Sequence, residues 1–392
     1  MCKTFFLFTV ISSCAVIALA QNEIAYSVSF PNIAHHEAEI SMNIPNITPG
    51  SLKVRMARSS PGRYATHEFG KNVYNVKAFD VTGKPLKVTR LSGDEYQITT
   101  IGKSATVRYT VYGNWMDGTY AGFDRGHAHM NMPATFMFPI GLDARPRVVN
   151  FIFPENPSWK VATQLKPLGE NKYYAKNLQY FMDSPTDIAD LKIISWDVSN
   201  MDGRKQTINY VTNTPDAMPV LENYAAMLKR MVLEHQAVWG ELPAFDYGQY
   251  YFLQSVHLEN AGDGMEHRNS TVIVERQKSV AGNESDQLST FSHEFFHAWN
   301  VERLRPKTLE PFNFQHTNMS DALWLAEGFT QYYGQLLLKR AGFRTLDEAS
   351  VTISGIVNTV LNTPGAKYYS PVEASNYGVF ADAGVAIDQT NK

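Results

Sequence analysis

Between residue 22 and about residue 212, apolar and polar positions alternate. Ile24, Tyr26, Val28 and Phe30 fall on one side, with Ser27 and Ser29 on the other. Ala38, Ile40, Met42 and Ile44 repeat the period of two, as do Val107, Tyr109 and Val111. Turn signals break these runs at Pro49-Gly50, Thr82-Gly83-Lys84-Pro85, Ser92-Gly93-Asp94, Asp117-Gly118 and Asp202-Gly203. Short alternating runs between frequent turns predict an antiparallel β-sandwich. After Thr214-Pro215-Asp216 the period changes. Pro219 suits a first helical turn, and Leu221, Tyr224, Leu228, Met231 and Val238 follow helical spacing to a stop at Gly240. A strand over Gln249–Val256, a Gly-rich loop, an extended run over Ser270–Glu275 and further helices complete the pattern. The predicted fold class is α+β: an antiparallel sandwich domain over 21–212, then a mostly helical domain over 213–392.

Composition narrows the function. The 392 residues carry 35 basic and 38 acidic side chains, a net charge of −3, whereas domains that grip phosphate are strongly basic. A nucleic-acid partner is therefore not expected. Phe5 to Ala20 is an apolar run after Lys3, and Ala18-Leu19-Ala20 before Gln21 fits a small-x-small cleavage site. Residues 1–20 read as a signal peptide, so no stable membrane insertion is expected once they are removed. Ile11-Ser12-Ser13-Cys14 resembles a lipoprotein box but would leave an apolar stub, and ranks second. The two cysteines, Cys2 and Cys14, both lie in this leader. The mature chain then has no disulfide, no thiolate metal site and no cysteine nucleophile. An exported, periplasmic or secreted protein is expected.

His293-Glu294-Phe295-Phe296-His297 carries the strongest chemical signal. Two histidines four apart share one helix face, close enough to hold one small cation. On the same helical wheel Leu288, Phe291, Phe295 and Trp299 form an apolar stripe on the opposite side. Glu294 lies beside the pair, where it reaches water at the ion without being a ligand. A catalytic zinc needs a third protein ligand and one open position. The best candidate is Glu327, on a predicted helix whose stripe is Leu325, Phe329, Tyr332 and Leu336. The alternative for Glu327 is an ion pair with Lys or Arg. His257 and His267 sit near the Gly-rich loop as further candidates, and His127 and His129 read as ordinary strand or loop histidines.

The run from His293 to Pro306 resembles the zinc-helix signature of the glycyl aminopeptidase-like metallopeptidases, family sixty-one of the gluzincin type. Leu309-Glu310-Pro311-Phe312 and the block Trp324–Tyr333 resemble the next two motifs of that family. Asp263-Gly264-Met265-Glu266-His267 resembles its Gly-Gly-Leu-Glu-His stretch, departing at two of the five positions. The resemblance implies a β-rich N-terminal domain, a thermolysin-like catalytic domain and removal of N-terminal Gly or Ala from peptides. It implies zinc on His293, His297 and Glu327, with Glu294 as general base. It assigns substrate binding to Gly264, Met265, Glu266 and His267, with Glu266 taking the free α-ammonium of the peptide. Members carry an oxyanion tyrosine in a Tyr-Tyr-x-x-Gly segment, and many have a PDZ domain. Here Tyr377-Gly378 is a weak substitute, and a fragment lacking both features is expected. The run Ser270–Glu275 is expected to pair with substrate as an added strand. Arg303 and Arg305 are expected to tie Glu302, Glu310 or Asp321 into a structural network. A non-haem iron oxygenase shares the two-histidine, one-carboxylate donor set, and an inert peptide-binding or chaperone-like module is the non-enzymatic alternative.

Overall fold

The computed structural model describes residues 22–153 and 158–381. The expected leader with Cys2 and Cys14, and the end of the chain near Lys392, lie outside them. The structure is α+β. Strands dominate to residue 212 and helices dominate after it.

Alternation builds the N-terminal domain as expected. Ile24, Tyr26 and Val28 are buried on Ile24–Ser29, and Ala38, Ile40, Met42 and Ile44 on Glu37–Pro45. The two strands pair antiparallel. The layout is more complex than a plain antiparallel sandwich. One eight-stranded sheet packs with two four-stranded sheets, and Ile24–Ser29 also pairs parallel with Arg147–Ile152. A single apolar core joins the three sheets. Phe312 and Phe314, from beyond the histidine helix, insert into it. This tether fixes how the two domains meet.

The second domain has a five-stranded sheet. Its order is Lys192–Ser199, Lys205–Thr212, Gln249–Val256, Ser270–Glu275 and Asp263–His267. The first pair and the last pair are antiparallel and the middle three strands are parallel. Two expectations change here. The boundary drawn after residue 212 falls before 192, because the strands at 192–212 hydrogen-bond to Gln249–Val256. Alternation marks a strand but not the sheet it joins. Ser270–Glu275 is an interior strand with both edges taken, so it cannot accept an added strand. Asp263–His267 is the sheet edge instead. Tyr210, Phe252 and Ile273 from the sheet pack on Tyr224 and Leu228 of the helix Met218–Trp239, and on Leu288, Phe291 and Phe295 of the helix Glu284–Phe296. No helix among the described residues is long and apolar enough to cross a membrane.

The segment from Trp324 to Arg340 also departs from its pattern. Trp324–Phe329 is a π-turn leading into the α-helix Thr330–Arg340. Of the predicted stripe, Leu325, Phe329 and Tyr332 face outward and are exposed, as is Trp324, while Leu336 is half-buried. The inward face is Leu323, Ala326, Thr330, Gly334, Leu337 and Leu338. Small residues win because the helix lies hard against its neighbour. A Cβ on Gly334 would come within 3.2 Å of the His293 backbone.

Glu275 ends its strand with its carboxyl pushed up to about 7 by burial and, secondarily, by Asp286. The folded chain therefore holds a proton that the unfolded chain releases near pH 4.5. The stability this gives is complete below that pH and is lost as pH rises through about 7. Glu275→Gln is expected to raise stability at pH 8 by about 1–3 kcal/mol and to leave it unchanged at pH 4. Thermal unfolding of both forms at the two pH values checks this.

Candidate metal centre

The helix Glu284–Phe296 buries Leu288, Phe291 and Phe295 and carries its histidines on the other side. The Nε2 atoms of His293 and His297 lie 3.2 Å apart. Oε2 of Glu327 lies 3.6 Å from each. A tetrahedral zinc about 2.0–2.1 Å from its ligands spaces those ligand atoms by about 3.3 Å. The three atoms therefore match the base of such a site, with its fourth position left for water or substrate.

Each donor is fixed from behind. Nδ1 of His293 faces Oε1 of Gln331 at 2.9 Å, and Nδ1 of His297 faces the carbonyl of Asn300 at 2.6 Å. Both rings then donate through Nδ1, which leaves Nε2, turned inward, as the atom that would coordinate an ion. The Asn300 amide donates to the carbonyls of Leu325 and Ala326 in the π-turn and to Oγ1 of Thr330. This pins the turn that carries Glu327. The Tyr64 hydroxyl, from the N-terminal domain, donates to Oε1 of Glu327 at 2.6 Å. Glu327 is half-buried, with 39 % of its side chain exposed. Its charged partners among the described residues are the two imidazoles, not Lys or Arg.

The electrostatics ask for a cation. Glu266 and Glu294 are both buried and, with His297, bring their ligand atoms within 4.8 Å of one another. Burial pushes Glu294 up to about 7, with Glu266 and Glu327 adding and the imidazoles opposing. Burial likewise takes Glu266 to about 7 against the pull of His297. Burial alone would lower His297, but Glu266 and Glu327 outweigh it and lift the ring to about 10. Oε2 of Glu294 is buried without a hydrogen-bond partner. Three carboxylates around two imidazoles, one with an orphaned oxygen, form a surplus of negative charge that a dication balances. The donor set of two nitrogens and one carboxylate oxygen fits zinc.

The four residues expected to bind substrate divide in two. Gly264 packs on the histidine helix: a Cβ there would meet Oε1 of Glu294 at 2.3 Å and Thr290 at 2.8 Å. Only a residue with no side chain lets this edge strand pass so close to Glu294. Glu266 sits inside the cluster. Met265 is instead buried against Gly62 and Gly118. His267 is buried with Nδ1 2.9 Å from Asp183. Alternation along a strand sends neighbours to opposite faces, so these two turn away from the metal site. Asp263, the departure from the family stretch, accepts hydrogen bonds from Arg63 and from the Gly118 backbone.

His127 and His129 flank Asp187, with 3.4 and 2.7 Å to its Oδ1, and His257 is exposed at the surface. Arg305 pairs with Glu302 and Glu310, and Arg303 donates to the Ala298 and Ala244 carbonyls and to Asn269. Arg305 thus ties Glu302 and Glu310 as expected, whereas Arg303 holds backbone carbonyls and an amide oxygen rather than a carboxylate. Tyr377 faces the ring of Tyr369. Tyr64, Gln331 and Asn300 were not singled out from the sequence as parts of the site. Tyr64 gave no local sign, since 263 residues separate it from Glu327. The polar residues at 300 and 331, close after the histidines and Glu327, were the available signal for the other two.

Comparison with curated proteins finds no match. Among solved structures, the chain is similar to an aminopeptidase N family protein from Idiomarina loihiensis. The TM-score is 0.79 at 24 % identity, covering 90 % of this chain and 60 % of that one. This chain thus spans 60 % of that relative's length. It is also similar to a mutant M1 zinc metallopeptidase from Deinococcus radiodurans bound to a Tyr-Ser-Ala substrate, with a TM-score of 0.50 at 12 % identity, covering 91 % and 77 %. Legionella pneumophila aminopeptidase A in complex with aspartic acid gives 0.50 at 14 %, covering 83 % and 39 %. At these identities the likeness is one of fold. The sequence model of the peptidase M61 N-terminal domain matches residues 25–190, and that of the M61 glycyl aminopeptidase matches residues 286–391. Covering most of the chain between them, and both the strand-rich domain and the histidine helix, these matches show that the chain belongs to the M61 glycyl aminopeptidase family.

Proposed function

We propose that this chain is a zinc-dependent aminopeptidase that removes small N-terminal residues, Gly or Ala, from peptides. The observation that carries the reading is the triangle of His293, His297 and Glu327 beside two buried carboxylates, Glu294 and Glu266. When bound, zinc supplies a Lewis acid that polarises the scissile carbonyl and acidifies water. Glu294, poised near neutrality by burial, takes the proton of the attacking water and passes it to the leaving amine. Glu266 receives the substrate's α-ammonium through a charge-assisted hydrogen bond. The edge strand Asp263–His267 orients the peptide backbone. The Glu294 position between the histidines favours hydrolysis over the oxygenase that shares the donor set. The M61 glycyl aminopeptidase family and the Deinococcus radiodurans M1 zinc metallopeptidase are peptidases, which supports the same choice. The apolar leader supports an exported protein, periplasmic or secreted.

Glycyl- and alanyl-anilides offered beside their N-acetylated forms test the reading. Cleavage is expected for the free amines alone, because an acetylated nitrogen carries no charge for Glu266. Equal turnover of the blocked forms would remove Glu266 as the amine anchor and make the protein an endopeptidase.

A further inference from the structure

The stretch Pro61-Gly62-Arg63-Tyr64 of the N-terminal domain lies across three parts of the site. Gly62 has φ +78°, and a Cβ there would come within 2.8 Å of Oε2 of Glu266. Arg63 donates to Asp263 and, at 3.3 Å, to the outward carbonyl of Gly264. Tyr64 donates to Glu327. The side chain of Arg63 is also held by Thr119 Oγ1 at 2.8 Å, so the stretch is clamped immediately before the phenol. A carboxylate on a π-turn with part of its side chain exposed can rotate and offer either oxygen or both. A hydroxyl donor on Oε1 selects one orientation, leaving Oε2 equidistant from the two imidazoles.

We propose that Tyr64 is a positioning residue of the metal centre, which makes zinc retention depend on a side chain supplied by the N-terminal domain. This rests on the metal-site reading above and adds a fourth, outer partner to it. Outer partners of metal ligands are worth about 10–100-fold in metal affinity. The hydroxyl acts by restricting Glu327, so its removal costs affinity without removing a ligand.

The test is zinc affinity of the whole chain by chelator competition, which needs no turnover. Tyr64→Phe keeps the ring and is expected to bind zinc about 10–100-fold more weakly than the parent, with unchanged circular dichroism in the metal-free state. Arg63→Gln loosens the same stretch without touching Glu327 and is expected to cost less than about threefold. In a Glu327→Gln background, adding Tyr64→Phe is expected to change affinity by less than about threefold, because the coupled partner is already altered. Parental affinity in Tyr64→Phe, an equal loss in Arg63→Gln, or a full further loss on Glu327→Gln would each overturn the proposal. If Tyr64→Phe alone proves poorly folded, Arg63→Gln decides the matter: a loss of about tenfold or more in that variant overturns the proposal. A parent chain that holds no zinc would defeat the metal-site reading itself, a result distinct from any of these.

Discussion

Glu294→Gln is expected to lower kcat for glycyl- or alanyl-anilide by about 10²–10⁴-fold, the usual worth of a positioned general base. Zinc is expected to stay at one equivalent, because Glu294 is not one of the three residues, His293, His297 and Glu327, that would hold it. The amide is close in size to the carboxyl, so the packing of Gly264 and Thr290 on this side chain is kept. The chemistry is not kept. A carboxyl pushed up to about 7 by burial exchanges its proton with water near neutral pH, and an amide exchanges none in that range. KM is expected to move little, since the amine anchor and the edge strand are untouched. Kinetics with metal analysis on the same preparation decide it. A variant as active as the parent would take Glu294 out of the reaction, and one that has lost its zinc would show it serves the metal instead.

The sequence made some of this site legible and hid the rest for physical reasons. His293 and His297 could be read because helical geometry is local: four residues make about one turn, and the apolar stripe across the helix certifies the face. Glu327 could be read by residue type and neighbourhood, but its setting could not. The stripe of Leu325, Phe329 and Tyr332 is exposed, because the helix needs small residues where it meets the His293 backbone. Strand periodicity located Lys205–Thr212 and Ser270–Glu275 but not their neighbours in the sheet, so neither the domain boundary nor the strand at the sheet edge could be read from it. Pairing partners are set by the tertiary fold, and nothing within a strand of six to eight residues encodes them. Tyr64 is the extreme case. Its contact with Glu327 exists only after two domains dock, a step partly fixed by Phe312 and Phe314 entering the other domain's core.

Glu327→Ala separates the two clusters of candidate ligands that share His297. One is His293, His297 and Glu327; the other is Glu266, Glu294 and His297. Both cannot be filled at once, because Nδ1 of His297 is committed to the Asn300 carbonyl and only Nε2 remains. The first triad uses both imidazoles, each with its Nδ1 held, and a carboxylate whose other oxygen is held by Tyr64. The second has one imidazole and two buried carboxylates, and Oε2 of Glu294 has no hydrogen-bond partner to orient it. Glu327→Ala is therefore expected to cost more than the about 100-fold that an outer partner is worth, and to leave the dialysed protein without zinc. Glu266→Ala is expected to keep zinc and to raise KM for substrates with a free amine. Each tenfold loss of affinity removes about 1.4 kcal/mol of zinc-dependent stability, so added zinc should raise the Tm of Glu266→Ala and not that of Glu327→Ala. The reverse pattern would move the ion to the Glu266 side. Glu327 would then be a half-exposed carboxylate facing the His293 ring, and the edge strand would be a metal support with no substrate to hold.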